Sequence, residues 1–216
     1  MTTCDRRSGF TLLEIIVVLA VLGILLGTAV PLASAAIEAD RRQEVRAELT
    51  EVAAALESFY YENGAFPSSL TATGFIGEHL QPGVSNTTTL DPFGAGQPYL
   101  YSVDTSANTA TVYSRGENGS DDGIAAEEYK AVCYGAVPGT RKTHARMRVI
   151  IEVLANHIEA GGSVLGAWPA LSNRLGLGTA YDDDGFGTGL QWTSSTYTLS
   201  SAGPDRTFGT ADDITL

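Results

Sequence analysis

Residues 6–26 read RRSGFTLLEIIVVLAVLGILL, and the rest of the chain is organised by how this stretch is read. From Phe10 to Val30 the sequence is apolar except for Thr11, Glu14, Gly23, Gly27 and Thr28. About 20 such residues are enough for a helix to cross a bilayer. Arg6 and Arg7 precede the run, with no comparable basic cluster close behind it. That asymmetry places the N-terminus in the cytoplasm and everything after Pro31 outside it.

Three readings compete for the run. A secretory signal peptide would use Ala33-Ser34-Ala35 as its cleavage site, but the apolar stretch exceeds the usual core of such a signal and contains a glutamate. A plain membrane anchor would leave Glu14 without a purpose. The third reading gives Glu14 a function. A carboxylate within a membrane costs roughly 2.5–3.5 kcal/mol on insertion scales, and such residues are held by a partner. The helix itself offers no cation within reach, so the partner is expected on another molecule.

The composition fits a folded and acidic protein. The 216 residues are 44% hydrophobic and 18% charged, which is the balance of a globular chain and not of a disordered one. The formal charge is −12; without residues 1–9 there are 11 basic against 24 acidic side chains, or −13. Such a surface repels phosphate backbones and excludes nucleic acid as a direct partner. It suits divalent cations, which take carboxylate and carbonyl oxygens. Cys4 and Cys133 lie on opposite sides of the apolar run, so no intrachain disulfide is expected.

Beyond Pro31 the pattern stays helical. Val45, Leu49, Val52, Leu56 and Phe59 recur at alternating spacings of 4 and 3, and Asn63-Gly64 supplies a stop. A helix from Phe10 to Asn63 would be about 80 Å long at 1.5 Å per residue, with Pro31 as a point of weakness. The stripe is read as the core face under a sheet.

The stretch SGFTLLEIIVVLAVLGIL resembles the N-terminal signature of the type IV pilin and pseudopilin family. The resemblance implies a leader peptide, residues 1–9, cut by prepilin peptidase between Gly9 and Phe10, with methylation of the new amine. It also implies that Glu14, the fifth residue of the mature chain, pairs with the Phe10 amine of a neighbouring subunit during assembly. The implied location is the bacterial inner membrane, single pass with the N-terminus cytoplasmic, in contact with an inner-membrane assembly platform. The globular part would lie outside the cytoplasm.

An internal repeat is also legible. Val45, Leu49, Val52 and Leu56 have counterparts in Met147, Ile151, Leu154 and Ile158, always 102 positions on, and GAFP at 64–67 meets GAWP at 166–169. DPFGAGQPY at 91–99 then matches DGFGTGLQW at 184–192, and YSRGEN at 113–118 matches SSAGPD at 200–205. Matches in one order with shrinking offsets read as two sibling units. The expected division is a transmembrane segment at 10–30, a first pilin-like unit at 31–134, a linker at 135–142 and a second unit at 143–216. The fold class is α+β: a long N-terminal helix on a small antiparallel sheet, then a second helix-plus-sheet of the same kind. Strands are expected at 98–103, 109–114, 190–194 and 196–200, with hairpin turns between them.

In the first unit, YYENGAFPSSL, LDPFGAGQPYLYSVD and YSRGENG resemble the major pseudopilin of the type II secretion system, which carries a calcium loop after its sheet core. The C-terminal GPDRTFGTADDITL offers Asp205, Asp212 and Asp213 on a glycine-broken turn, with Thr207 and carbonyls to complete an oxygen shell for Ca2+. The first unit's loop at 116–128 has Asn118 where the family has aspartate, with Asp121, Asp122, Glu127 and Glu128 as substitutes, and is the weaker metal candidate. Asp182, Asp183 and Asp184 are read as a solvated turn.

No catalytic constellation is legible. His79, His144 and His157 stand apart, and there is no G-x-S-x-G, H-E-x-x-H or P-loop. Cys133 is read as a packed side chain. The expectation is therefore a non-enzymatic structural subunit that polymerises with itself or other pilin-like chains, in a type II secretion pseudopilus-like filament. A minor type IV pilus pilin for adhesion, motility or uptake is the near alternative. A membrane-anchored calcium-dependent binding module that never polymerises is the alternative of another class.

Overall fold

A computed structural model describes residues 11–80, 89–127 and 129–216. The chain divides into two compact units, residues 1–44 and 45–216. Helix α1 runs Leu12–Asn63. In its first part the apolar side chains are exposed, Leu12, Leu19 and Ile24 among them. From Val45 onward it turns amphipathic: Val45, Leu49, Val52, Leu56 and Tyr60 are buried. The helix stops where Gly64 takes a φ of +73° and its N–H bonds the Tyr60 carbonyl at 2.7 Å, a left-handed step that glycine makes without strain.

The buried face of α1 packs on a three-stranded antiparallel sheet, β1 (Leu100–Asp104), β2 (Thr109–Tyr113) and β3 (Lys130–Tyr134), in the order β1-β2-β3. Asp104 makes the β1–β2 turn, its Oδ1 accepting from the Ser106 and Ala107 N–H groups. Ala110, Val112 and Cys133 of the sheet meet Val52, Leu56, Phe75 and Leu80 in one core.

A second helix and sheet follow. Helix α2 spans Ala136–Glu159, and a short α3 spans Ala170–Arg174. Strands β4 (Gln191–Thr193), β5 (Thr198–Ser201) and β6 (Ile214–Thr215) form an antiparallel sheet in the order β4-β5-β6. Met147, Ile150, Leu154, Trp168, Leu171, Leu190 and Leu199 fill a second core. The molecule is thus α+β, a long helix on an antiparallel sheet followed by a second helix-plus-sheet.

Four details differ from the sequence expectation. Residues 136–142, expected as linker, are the first turns of α2. Pro138 sits in the opening turn, where its missing N–H has no intrahelical partner to lose. The buried stripe of α2 is Thr143, Met147, Ile150 and Leu154, whereas Ile151 and Ile158 are exposed. It therefore matches Val45, Leu49, Val52 and Leu56 at an offset one helical turn shorter than expected. Strands β3 and β6 were not anticipated, and β5 begins two residues late because Tyr197 adopts a φ of +54° in the hairpin turn. Asp184, finally, is 1% exposed and not solvated.

Within the second helix-and-sheet pair, a tight glycine seam joins α2 to the loop before β4. A Cβ on Gly139 would strike the Phe186 ring, and one on Gly185 would strike the Gly139 carbonyl. The buried Thr143 hydroxyl donates to the Gly139 carbonyl at 2.9 Å and accepts from the Gly185 N–H at 2.8 Å. Arg206 reaches the Gly64 carbonyl at 3.3 Å.

Candidate functional site

Gly9 and Phe10, the expected processing residues, lie outside the described residues. Glu14 is described, exposed, in the first turn of α1. Its N–H bonds Thr11, with the carbonyl at 3.1 Å and Oγ1 at 3.3 Å. Thr11 therefore caps the helix and Glu14 is its third residue, the spacing of a capping box. A carboxylate there is also favoured by the positive end of the helix dipole. The helix is long and apolar enough to cross a membrane, and none of its most apolar window is buried.

The two acidic loops arise at equivalent places in the two sheets, between the second and third strands. Each begins from the same hydrogen-bonded corner. In the first, Asp91 is 2% exposed. Its Oδ1 accepts from the Phe93 N–H at 3.0 Å and the Ser114 hydroxyl at 2.7 Å, and its Oδ2 accepts from the Arg115 N–H at 2.6 Å. The Ser114 oxygen accepts in turn from the Gly116 N–H at 3.0 Å. In the second, Asp184 accepts from the Phe186 N–H at 2.8 Å, the Thr188 N–H at 2.9 Å and the Ser201 hydroxyl at 2.6 Å. Ser201 accepts from the Gly203 N–H at 3.1 Å. Gly116 and Gly203 have φ values of +66° and +67°. The matched DPFG and DGFG segments are therefore matched in chemistry: a buried carboxylate satisfied by peptide N–H groups and one serine.

The C-terminal loop brings Asp205, Asp212 and Asp213 near one another through shared donors. Asp212 Oδ2 accepts from the Asp205 N–H at 3.0 Å, and Thr210 Oγ1 lies 2.6 Å from Asp212 Oδ1 and 3.4 Å from Asp213 Oδ1. Asp213 Oδ2 accepts from the Gly209 N–H at 2.8 Å, and Asp205 Oδ1 from the Thr207 N–H at 2.8 Å. The Thr210 hydroxyl, then the Asp205 N–H, hold the Asp212 carboxyl below its ordinary 3.8. The donor chemistry suits a hard cation. As arranged, however, these oxygens serve the loop's own donors, and among the described residues no group of three or more His, Cys, Asp or Glu is placed to hold a metal ion. In the first loop, Asn118 Nδ2 bonds Asp122 Oδ2 at 2.6 Å, and the Asp122 N–H bonds Glu127 Oε1 at 3.2 Å.

One contact was not legible in the sequence. His79 is not isolated: Nδ1 lies 3.0 Å from Ser58 Oγ and Nε2 lies 3.5 Å from Glu62 Oε2. Its ring packs edge-on against Phe59. Ser58 and Glu62 are four residues apart on α1, a spacing that places both on one helix face; that spacing was the available clue. Cys133 is 1% exposed, with Sγ 3.7 Å from the Ala53 carbonyl. Burial, and then the Glu57 charge, push its thiol up to about 11.

The long exposed apolar helix with a carboxylate in its first turn points to one class of protein. A family model described as the prokaryotic N-terminal methylation motif matches residues 4–30, and the chain is pseudopilin-like. The particular similarity is to the type II secretion system core protein G of Pseudomonas aeruginosa. The two are 29% identical over 128 residues, which cover 55% of this chain and 89% of that protein. No solved structure matches the chain.

Proposed function

We propose that this chain is a structural subunit of a type II secretion pseudopilus-like filament, cut between Gly9 and Phe10 and assembled through its N-terminal helix. The observation that carries the reading is the exposed apolar part of α1 with Glu14 in its first turn, in a segment that matches the methylation motif. An apolar surface of that length is stable in lipid or against copies of itself. A carboxylate within it gains a partner when the Phe10 amine of a neighbouring subunit comes alongside. Similarity to a type II secretion core protein favours the secretion filament over a retractable pilus.

Two further assignments belong to this reading. Residues 143–216 are a second pilin-like unit; the repeated Asp–Ser–Gly corner supports it. The loop of Asp205, Asp212 and Asp213 takes Ca2+ by giving up the Thr210 and peptide N–H bonds described above. Mass spectrometry of the mature protein tests the main proposal. A chain beginning at a methylated Phe10 is expected; one beginning at Ala36 would restore an ordinary signal peptide and overturn it.

A further inference from the structure

A cleft of about 290 Å3 lies between the last turn of α1 and the flank of α2, lined by Tyr61, Lys142, Arg146, Val149 and Tyr181. Its charge is unusual for this molecule. Four of the chain's thirteen Lys and Arg residues fall within residues 141–148 of a protein whose net charge is −12. The Arg141 guanidinium carbon stands 5.1 Å from the Tyr61 ring centre, and Lys142 Nζ stands 5.9 Å from it. Lys142 Nζ donates to the Glu62 carbonyl at 2.6 Å, and Arg146 Nη1 donates to the Asp183 and Asp184 carbonyls at 2.8 Å. These bonds fix the cations through neutral carbonyl oxygens and not through carboxylates. Burial, and next the Arg146 charge, draw Lys142 below its ordinary 10.5, against an opposing pull from Glu62. Two cations held side by side between two tyrosines form a receptor for carboxylate groups.

The chain carries a ligand of the matching kind. Between Arg115 and Lys130 the sequence has Glu117, Asp121, Asp122, Glu127 and Glu128 and no basic residue, whereas the loop after β5 has Arg206 among its carboxylates. Asp121 and Asp122 are exposed. The β2–β3 loop is held to its own sheet, through Asn118 to Asp122, Asp122 to Glu127, and Lys130 Nζ to the Ile124 carbonyl at 2.7 Å. It is therefore a preformed acidic knob. We propose that the cleft of one subunit receives the acidic β2–β3 loop, with Asp121 and Asp122, of a second copy of this chain. The inference rests on the filament reading above and adds to it a contact between globular parts that involves α2, the element of the second helix-and-sheet pair.

Oxidative crosslinking of the full-length chain in cell membranes tests it. One copy carries Ala145→Cys in the cleft and the other Ser120→Cys at the loop tip, both in a Cys4→Ser background. A reference pair with cysteine replacing Ile16 and Leu19 reports helix-to-helix assembly. The expected result is a crosslink that needs both the Ala145→Cys and Ser120→Cys copies. It should fall at least tenfold when the cleft copy also carries Arg141→Glu and Lys142→Glu, and return when the loop copy carries Asp121→Lys and Asp122→Lys. The loop reversals alone, made on exposed residues, should give the same loss. Helix crosslinks without the cleft-to-loop crosslink would overturn this contact and leave the filament standing. No crosslink of either kind would overturn both. A cleft-to-loop crosslink indifferent to the loop reversals would overturn the electrostatic contact.

Discussion

Asp91 and Asp184 are the residues on which the two loops hang. Each is a buried carboxylate surrounded by N–H and O–H donors, so its charge is satisfied without a cation. Removing it strands those donors away from water, at about 1–3 kcal/mol for each buried unsatisfied group. Asp184→Ala should therefore lower unfolding stability by about 3 kcal/mol, and Ser201→Ala by about 1.5 kcal/mol, measured by urea denaturation of a fragment that starts at Glu44. At the far end of the same loop, the carboxyl of Asp212 has a folded value below 3.8. Its hydrogen bonds thus contribute stability that is present above the ordinary value and is lost as pH falls through the lower folded one. Carbon-detected titration should place the Asp212 midpoint below 3.8, and Thr210→Ala should move it upward. Cys133, raised to about 11, should resist iodoacetamide at pH 8 until the protein is unfolded.

At the level of elements, the sequence announced some features and concealed others. The stripe of Val45, Leu49, Val52 and Leu56 was legible because no competing apolar set shares that part of α1. On α2 two sets fit one period, and periodicity alone does not choose between them. The seam chooses: with Gly139 and Thr143 against Phe186 and Gly185, the helix must turn Met147 and Ile150 inward. Likewise the linker expected from GAVPGTRK is helix, because Pro138 is harmless in a first turn and Gly139 is required by Phe186. Strand β3 was hidden because Val132 and Tyr134 stay exposed, which leaves no clean alternation. Of the sites, Glu14 was legible from its chemistry, whereas His79 between Ser58 and Glu62 needed the folded helix face. The seam carries its own prediction. Gly185→Ala forces a Cβ into the Gly139 carbonyl and should cost about 1–3 kcal/mol by calorimetric melting, while Gly178→Ala, with open space at the Cβ position, should be nearly neutral.

For the molecule as a whole, the two decisive measurements concern assembly and cation binding. In the full chain, Glu14→Ala should leave the melting of the globular part unchanged but abolish sheared filaments and helix crosslinks. Wild-type assembly by that variant would remove Glu14 from the mechanism. Calcium added to the fragment should raise its melting temperature and release heat in titration calorimetry. Asp212→Ala together with Asp213→Ala should abolish both responses.

The glycine seam also bears on how this protein can change over time. Where side chains meet, one substitution is compensated by another, and contacts drift. At Gly185 the neighbour is the Gly139 backbone, which has no atoms to give up, whereas at Gly139 the neighbour is the Phe186 ring, the one side chain that could yield. A library of random substitutions, selected for folded protein, should return glycine alone at Gly185, substitutions at Gly139 only together with a smaller residue at Phe186, and variety at the exposed Ala145 and Ala155. The join between α2 and the loop before β4 would then be the least evolvable part of the second helix-and-sheet pair, even as its other loops diversify.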